Sequence, residues 1–380
     1  MVNSSTSDAH SCPELQTGEI PAIDAIFEEA GLVRNLRAKG AGVTRRARLN
    51  RARAERGEAE ELFRTAAEPL LAPNGVQWLP VSGWRNFPWL WHGFSTRKGG
   101  LSRAFCAEDA QGELNLGFSG DDRETVARNR HLFAEAVTGD SATPLICLRQ
   151  IHSSLLVVAR TEDAGRGDSS PLHPNDRSSS LGCKGDGLMT DEPGLLLGIQ
   201  TADCIPVLVA DRRRRAVAAF HAGWRGTVNR IVEKGIGRMR LEFGSRPEDL
   251  IAAIGPGIGP CCYAVGEEVF SSFESQFSYA RELFREVYSV DPVRNKYPML
   301  FLTQRAPGHS EIGPNLHLDL VEANRRQLLA AGLKPPSIKI AGGCTSCQPE
   351  LFFSHRASEG HAGRMMSVIG IRGRAGARAR

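Results

Sequence analysis

The sequence predicts an α+β fold in which sheets are covered by helices, because strand-like and helix-like patterns alternate between residues 76 and 371. Three runs rich in valine, isoleucine and leucine are typical of strands: residues 145–159, 194–210 and 216–220. The second run is almost continuously apolar, which favours a strand buried on both faces. A sheet of this kind requires helical cover.

Capping residues and apolar spacing predict three of the covering helices. Thr227 is a candidate N-cap for a helix whose apolar side chains recur near helical spacing until Gly244. A second helix begins at Asp121 or Asp122, and a third covers residues 319–331 ahead of a glycine. Each helix follows a polar residue that can accept a hydrogen bond from the first turn.

The chain divides into one large domain with a polar segment at each end. We expect a charged, partly helical or disordered extension over residues 1–75, a domain over residues 76–371, and a flexible basic tail over residues 372–380. Residues 164–182 are rich in serine, glycine, aspartate and proline, which favours an inserted surface loop. With 41% hydrophobic residues, the central domain can bury a sizeable core.

Charge and hydropathy limit the partners and the location. The net charge of +4 is carried by four arginines in residues 372–380, so the domain itself is nearly neutral and no nucleic-acid partner is expected. No run approaches the ~20 apolar residues of a membrane helix, and the polar first residues lack a signal-peptide pattern. We therefore expect a cytoplasmic protein without a membrane partner; the oligomeric state does not follow from the sequence.

The nine cysteines favour reduced thiols or metal ligands over a disulfide scaffold. Their number is odd, they are scattered along a long chain, and the only close pairs are Cys261 with Cys262 and Cys344 with Cys347. The second pair has the spacing of a redox pair or a minor metal site, although unlinked thiols are the usual state of such residues.

One cysteine and two histidines are the candidate reactive group. Cys204 follows Asp203 inside the long apolar run, His221 ends the next strand-like run, and His152 lies in the first. The three side chains can converge at strand ends, and two imidazoles with a thiolate form a zinc-type ligand set. A carboxylate as close to the apolar run as Asp203 must be paired, hydrogen-bonded or functional.

Three kinds of chemistry fit this group, and the residues alone do not choose between them. The three side chains can bind zinc with an open fourth position, which permits hydrolytic deamination. Alternatively, Cys204 is a nucleophile activated by His221, as in hydrolases that form a thioester. Imidazole and thiolate also suit copper in a redox site.

The segment after His221 indicates an anion site. Gly223 and Gly226 allow a tight backbone path, and Arg225 lies just ahead of the helix predicted from Thr227, where free N–H groups attract anions. The planar guanidinium group of Arg225 can pair with two oxygens of a phosphate or carboxylate. The alternative is a surface arginine paired with a neighbouring acid.

Twelve short segments, in order along residues 78–371, closely resemble the YfiH-like, laccase-domain family. They are residues 92–100 (HGFSTRKGG), 114–117 (LNLG), 120–122 (GDD), 150–152 (QIH), 185–187 (GDG), 201–204 (TADC), 221–226 (HAGWRG), 254–263 (IGPGIGPCCY), 318–320 (LDL), 323–325 (ANR), 344–345 (CT) and 352–356 (FFSHR). Residues 1–75 lie outside the resemblance.

The resemblance implies a central sandwich of mixed β-sheets with helices packed outside, and a metal site at His152, Cys204 and His221. It implies zinc, and phosphorolysis of adenosine, inosine, guanosine and 5'-methylthioadenosine together with deamination of adenosine. A single bound copper is the alternative, because copper outcompetes zinc at most nitrogen and sulfur sites. Phosphorolysis needs a bound phosphate and support for the departing base.

Three further residues receive expected roles in that reaction. Arg225 is the expected phosphate clamp and Arg97, in a glycine-rich turn, is a second candidate. Asp203 is expected to orient His221 or to contact the ribose.

The sequence also departs from the family pattern, and other functions compete. Ala264 stands where members often have an acid, and Cys347 lies in a Ser-Cys-Gln-Pro-Glu segment where members often have Tyr-Ser-Asp-Pro-Glu. The runner-up function is a Cys204/His221 amide hydrolase that edits a peptidoglycan precursor, and a third is a metal-bound interaction module. A copper polyphenol oxidase with four coppers is disfavoured, because none of the ten histidines is two residues from another.

Overall fold

The computed structural model describes residues 68–106, 111–161, 183–287 and 315–373. Over these residues the chain forms five α-helices, α1 (Arg123–Thr138), α2 (Trp224–Val228), α3 (Ile231–Phe243), α4 (Glu267–Gln276) and α5 (Leu320–Ala330). Its strands are β1 (Leu70–Leu71), β2 (Gln77–Leu79), β3 (Leu90–Ser95), β4 (Lys98–Ser102), β5 (Leu145–Cys147), β6 (Leu156–Val158), β7 (Gly187–Thr190), β8 (Leu196–Thr201), β9 (Ile205–Asp211), β10 (Val217–Ala222), β11 (Leu250–Ile254), β12 (Ala264–Val265), β13 (Phe284–Val287), β14 (Asn315–Leu318), β15 (Ile338–Ile340) and β16 (Met365–Ile371).

Most of the strands belong to two six-stranded mixed sheets. Sheet 1 has the order β1-β2-β3-β16-β8-β5, and sheet 2 has the order β15-β11-β9-β10-β7-β6. Three pairs are parallel, β5 with β8, β6 with β7 and β11 with β15, and the others in these sheets are antiparallel. A small third sheet contains β12, β14 and β13.

The two large sheets pack face to face, and helices cover their outer faces. Alternate residues of β10 show the layering: Val217 and Ala219 face sheet 1 across the sandwich core, whereas Ala218 and Phe220 pack with α3, α4 and α5. On the outer face of sheet 1, Phe133 of α1 packs against Leu196 and Val368. The predicted α+β fold with a central sandwich and outer helices is thereby confirmed.

Two predicted helix starts are confirmed by their caps. The carboxylate of Asp122 accepts a 2.8 Å hydrogen bond from the Thr125 amide at the start of α1. That of Asp319 accepts one of 2.9 Å from the Glu322 amide at the start of α5. Both carboxylates also lie at the positive end of the helix dipole.

The helix predicted to start at Thr227 is two helices, so the proposed cap at Thr227 was wrong. Thr227 lies inside the short helix α2, which begins after Gly223, and Arg230 adopts φ 57° before α3 begins. That left-handed residue turns the chain between the two helices. The end predicted at Gly244 is confirmed, because Gly244 is the left-handed C-cap of α3.

Two of the predicted strands are also divided. Residues 145–159 form β5 and β6, and residues 194–210 form β8 and most of β9, with the two strands of each pair in different sheets. The break between β8 and β9 falls at residues 202–204, where Asp203 has φ 88°. The chain therefore crosses from sheet 1 to sheet 2 immediately before Cys204.

The ends of the domain are only partly described. The turn at residues 72–75, predicted as the domain boundary, joins β1 to β2, so sheet 1 begins before it. Most of the N-terminal extension, the loop at residues 164–182 and nearly all of the basic tail lie outside the described residues. Among the helices of the described part, none is both long and apolar enough to span a bilayer.

Candidate metal centre

The pairing of β9 with β10 brings Cys204 and His221 to one edge of sheet 2. His221 lies opposite Pro206 and Ala222 opposite Ile205, so Cys204 comes next in register, beside the end of β10. His152 reaches the same point from the loop between β5 and β6, where it adopts φ 58°. The three predicted side chains thus converge, although His152 lies in a loop and not in a strand.

The donor atoms of the three side chains surround a common point. Nitrogen or sulfur atoms of His152, Cys204 and His221 all lie within 4.8 Å of one another, and the imidazole centroids are 4.8 Å apart at 72°. The thiol of Cys204 hydrogen-bonds to both imidazoles. His221 is buried, Cys204 half-buried and His152 exposed, so the group opens toward solvent on the His152 side.

Asp186 holds both histidines from behind. Its Oδ1 accepts a 2.8 Å hydrogen bond from His221 Nδ1, which leaves Nε2 for the thiol or a metal. The same carboxylate accepts hydrogen bonds from the amides of His152 (3.0 Å) and Ser153 (2.6 Å) and from the Ser153 hydroxyl (2.7 Å). One fully buried carboxylate therefore fixes a ring and a loop.

The electrostatics of the group favour an ionised thiolate. Burial raises the pKa of Cys204, but the charge of His221 and hydrogen bonds from both imidazoles outweigh it and lower that pKa to about 6. Burial lowers the pKa of His221, whereas the charges of Cys204 and Asp186 and its hydrogen bonds to both raise it to about 9. Burial opposes ionisation of Asp186, yet hydrogen bonds from His221 and Ser153 lower its pKa to about 2.

These residues fit a bound metal ion in chemistry and in space. Two imidazoles and a thiolate with a carboxylate behind one ring are a common arrangement at zinc sites. Donors on one zinc ion lie about 3.3–3.8 Å apart, so the 4.8 Å limit requires only small side-chain shifts. Gly223 leaves the room, since a Cβ there would lie 2.8 Å from Cys204 Sγ and 3.3 Å from His152 Cδ2.

Asp203 holds the turn before Cys204 and does not contact His221. Its carboxylate accepts hydrogen bonds from the hydroxyls of Thr345 (2.6 Å) and Ser354 (2.7 Å) and from the Arg356 amide (2.6 Å). The expectation that it orients His221 was wrong, because Asp186 occupies that position; contact with the ribose stays a prediction. Its contacts stabilise a left-handed backbone conformation that aspartate adopts infrequently.

Positively charged side chains lie near the thiolate. Arg225 is exposed and stacks 4.4 Å from the centroid of the Trp224 ring. Burial raises the pKa of Tyr263; the charges of Cys204 and Asp203 raise it further, and the charge of Arg225 lowers it. Burial lowers the pKa of Arg364, while the negative charges of Cys204 and Asp203 act in the opposite direction.

Arg97 has partners within the protein. Its guanidinium group forms an ion pair with Glu113, with Nε 2.6 Å from Oε1 and Nη2 2.8 Å from Oε2, and it lies 4.6 Å from the Phe353 ring centroid. A phosphate at Arg97 would therefore compete with a carboxylate already in place.

Asp186 and Arg364 were missed by the sequence analysis. Asp186 stands between two glycines, Gly185 and Gly187, and an acid in such a tight backbone setting was the available signal. A Cβ at Gly187 would lie 2.4 Å from the Leu156 side chain, so the glycine permits close packing of β6 on β7. Arg364 carried no local signal, because only the position of β16, which begins at the next residue, relates it to Cys204 and Asp203.

Comparison with known proteins identifies the family. The family described as multi-copper polyphenol oxidoreductase laccase matches residues 91–372. The chain belongs to this family. Purine nucleoside phosphorylase YlmD of Geobacillus stearothermophilus, a relative, is 35% identical over 286 residues, which are 74% of this chain and 89% of that protein.

Two further relatives extend the comparison. Adenosine deaminase RL5, from an unknown prokaryotic organism, is 31% identical over 278 residues, 73% of this chain and 92% of that protein. The crystal structure of YfiH from Bacillus licheniformis has a TM-score of 0.62 at 30% identity and covers 80% of this chain and 99% of its own. The laccase-family resemblance inferred from the motifs is confirmed.

Replacing Asp186 by asparagine is expected to weaken metal binding by roughly 10–100-fold, the usual effect of losing a carboxylate behind a ligating histidine. The amide can no longer accept all the hydrogen bonds from the His152 loop and His221. Competition between the protein and a chromogenic zinc chelator measures the affinity. Asp191→Asn, on an exposed carboxylate, is the control. Equal affinity in Asp186→Asn and wild type would contradict the role of Asp186.

Replacing Gly223 by alanine is expected to lower the zinc content by at least half, because the added Cβ pushes against Cys204 and His152. Gly237→Ala is the matched control, since a Cβ there meets nothing within 4 Å and alanine favours the α3 helix. Elemental analysis after equal exposure to zinc gives the result. Full zinc content in the Gly223→Ala protein would show that the space is not limiting.

Proposed function

We propose that this protein is a zinc-dependent purine nucleoside phosphorylase with adenosine deaminase activity. Its proposed substrates are adenosine, inosine, guanosine and 5'-methylthioadenosine, with phosphate as the second substrate. The observation that carries the proposal is the convergence of His152, Cys204 and His221 on one point, backed by Asp186. Relatives named for both activities, at 35% and 31% identity, support it.

Zinc is the proposed metal, held by His152, Cys204 and His221. With three protein ligands and one open position, bound zinc supplies a Lewis acid at the reacting centre. Copper also suits these ligands, and elemental analysis of the protein as isolated distinguishes the two.

The protein's own residues supply positioning and charge. Asp186 keeps the proton of His221 on Nδ1, so Nε2 faces the centre. Asp203 acts as a positioning residue, because it fixes the backbone turn from which Cys204 projects. A nucleoside would approach from the exposed His152 side.

Arg225 is the proposed phosphate clamp. Among the described residues it forms no ion pair with a carboxylate, its guanidinium is exposed, and its charge acts on the same tyrosine as Cys204. Stacking on Trp224 holds it without using its donors. Arg364 is a second cation near Cys204, with Nη1 donating to the Ala362 carbonyl at 2.6 Å, whereas Arg97 is neutralised by Glu113.

A second candidate function is amide hydrolysis, in which Cys204 attacks a peptidoglycan precursor. Asp186, His221 and Cys204 follow the order of orienting acid, base and nucleophile, and the lowered pKa of Cys204 favours a thiolate. The exposed His152 hydrogen-bonds to the same sulfur. Its imidazole adds a third donor group to Cys204 and His221, and three converging donors suit a metal site better than a simple nucleophile. We therefore rank it second.

The test is incubation of the zinc-loaded protein with adenosine, with and without phosphate, and separation of the products by chromatography. Adenine and ribose 1-phosphate are expected only with phosphate, and inosine is expected without it. Cys204→Ala should lower both rates by at least about 100-fold through loss of a metal ligand. Cys106→Ser, outside the site, should retain them.

If metal-loaded protein leaves every nucleoside unchanged, the proposal fails. Cleavage of an amide-linked precursor by the same preparation would then favour the hydrolase. If Cys204→Ala keeps its phosphorylase rate, the activity does not arise at this centre.

Arg225→Met should raise the KM for phosphate by about tenfold or more, because a charge-assisted hydrogen bond contributes roughly 1.5–3 kcal/mol. The KM for adenosine should change much less. Initial rates over a series of phosphate concentrations provide the measurement. Arg246→Met, on an exposed arginine paired with Glu248, is the control. An unchanged KM for phosphate in Arg225→Met would transfer the role to Arg364.

A further inference from the structure

Four cysteines form a second cluster beside the candidate metal centre. Cys261 and Cys262 lie in the turn after β11, and Cys344 and Cys347 in the turn after β15. Their sulfur atoms all lie within 4.8 Å of one another. Cys347 Sγ lies 3.4 Å from Cys261 Sγ and 3.3 Å from Cys262 Sγ.

Backbone contacts hold the two turns together. Gly257 pairs with Cys344 in an isolated parallel bridge, and the Thr345 amide donates to the Gly257 carbonyl at 2.9 Å. The Gly259 amide donates to Cys344 Sγ at 3.2 Å, the type of contact that stabilises a thiolate. The cluster is therefore preorganised by β11 and β15.

We propose that Cys261, Cys262, Cys344 and Cys347 form a second metal site, a tetrathiolate that binds zinc. Four sulfur atoms at about 2.3 Å from a tetrahedral zinc ion lie about 3.8 Å apart, and the observed spacings bracket this value. Binding displaces the protons of the four thiols to solvent and involves no oxidation. With four protein ligands the site is closed, and its role is structural.

A shared centre explains the geometry better than a disulfide does. A disulfide joins two sulfur atoms at about 2.05 Å and excludes the others, whereas Cys347 is nearly equidistant from two partners. Cys344 adds a fourth sulfur on the buried side, while Cys261 and Cys347 are exposed. A metal ion would bind all four sulfur atoms, and it could enter from solvent on the side of the exposed cysteines.

The site would tie together the two turns that support the catalytic cysteine. The Ile258 amide, in the first turn, donates to the Asp203 carbonyl at 2.7 Å. The Thr345 hydroxyl, in the second turn, donates to the Asp203 carboxylate at 2.6 Å. Metal at the four cysteines therefore stabilises the backbone next to Cys204 from both sides, although it has no contact with substrate.

Elemental analysis of the full chain, purified with a thiol reductant and loaded with zinc, is the first test. Two zinc ions per chain are expected for wild type, and one for Cys204→Ala and for the double variant C261S/C347S, which changes only exposed side chains. Cys106→Ser should keep two. A double variant with the zinc content of wild type would overturn the proposal.

Cobalt spectroscopy gives a readout that is independent of activity and of the double variant's folding. Metal-free Cys204→Ala protein is titrated with Co²⁺, and the strong sulfur-to-cobalt absorption of a tetrathiolate is expected at one equivalent. Absence of that absorption would refute the site. Peptide mapping of wild-type protein that has been purified, reduced and reoxidised is a further test. A disulfide at Cys347 that prevents zinc loading would also refute the site, because the cluster would then be a redox pair.

Discussion

The buried carboxylate of Asp186 is the constraint on which the candidate metal centre depends. A buried charge is costly unless it is fully paired, and Asp186 is paired by the His221 ring and by the backbone of residues 151–153. The same contacts stabilise His152 at φ 58°, a conformation that needs support from its surroundings. Because one group satisfies both elements, the two imidazoles are positioned together.

The sandwich architecture positions the thiol of the candidate metal centre. The chain leaves sheet 1 after β8 and enters sheet 2 at β9, and Cys204 lies at the end of that crossing. A crossing of only three residues requires the left-handed conformation at Asp203, and segments far away in sequence, at Thr345 and Ser354, hold it there. The position of the thiol is thus determined by long-range contacts.

Local patterns predicted the strands, two helix caps and the three converging side chains, but not the division of the long runs. Residues 202–204 contain no glycine or proline, so periodicity alone read 194–210 as a single strand. The acid partner of His221 was expected to be Asp203, the residue before Cys204. It is Asp186, 35 positions from His221, which the antiparallel pairing of Gly187 with Phe220 brings to the imidazole; the sequence around His221 does not reveal this pairing.

The two cysteine-containing clusters differ in the way that separates reactive from structural metal sites. The first has three donors, an exposed histidine and nearby arginines, so in the proposed function a bound zinc ion would keep one coordination position, and the arginines positive charge, for an anionic substrate. The second has four thiols, which would fill the four coordination positions of a zinc ion. Both clusters depend on the backbone around Asp203. A left-handed turn with few local constraints is easily deformed. A four-thiolate zinc site beside this turn would therefore stabilise the geometry of the three-donor centre.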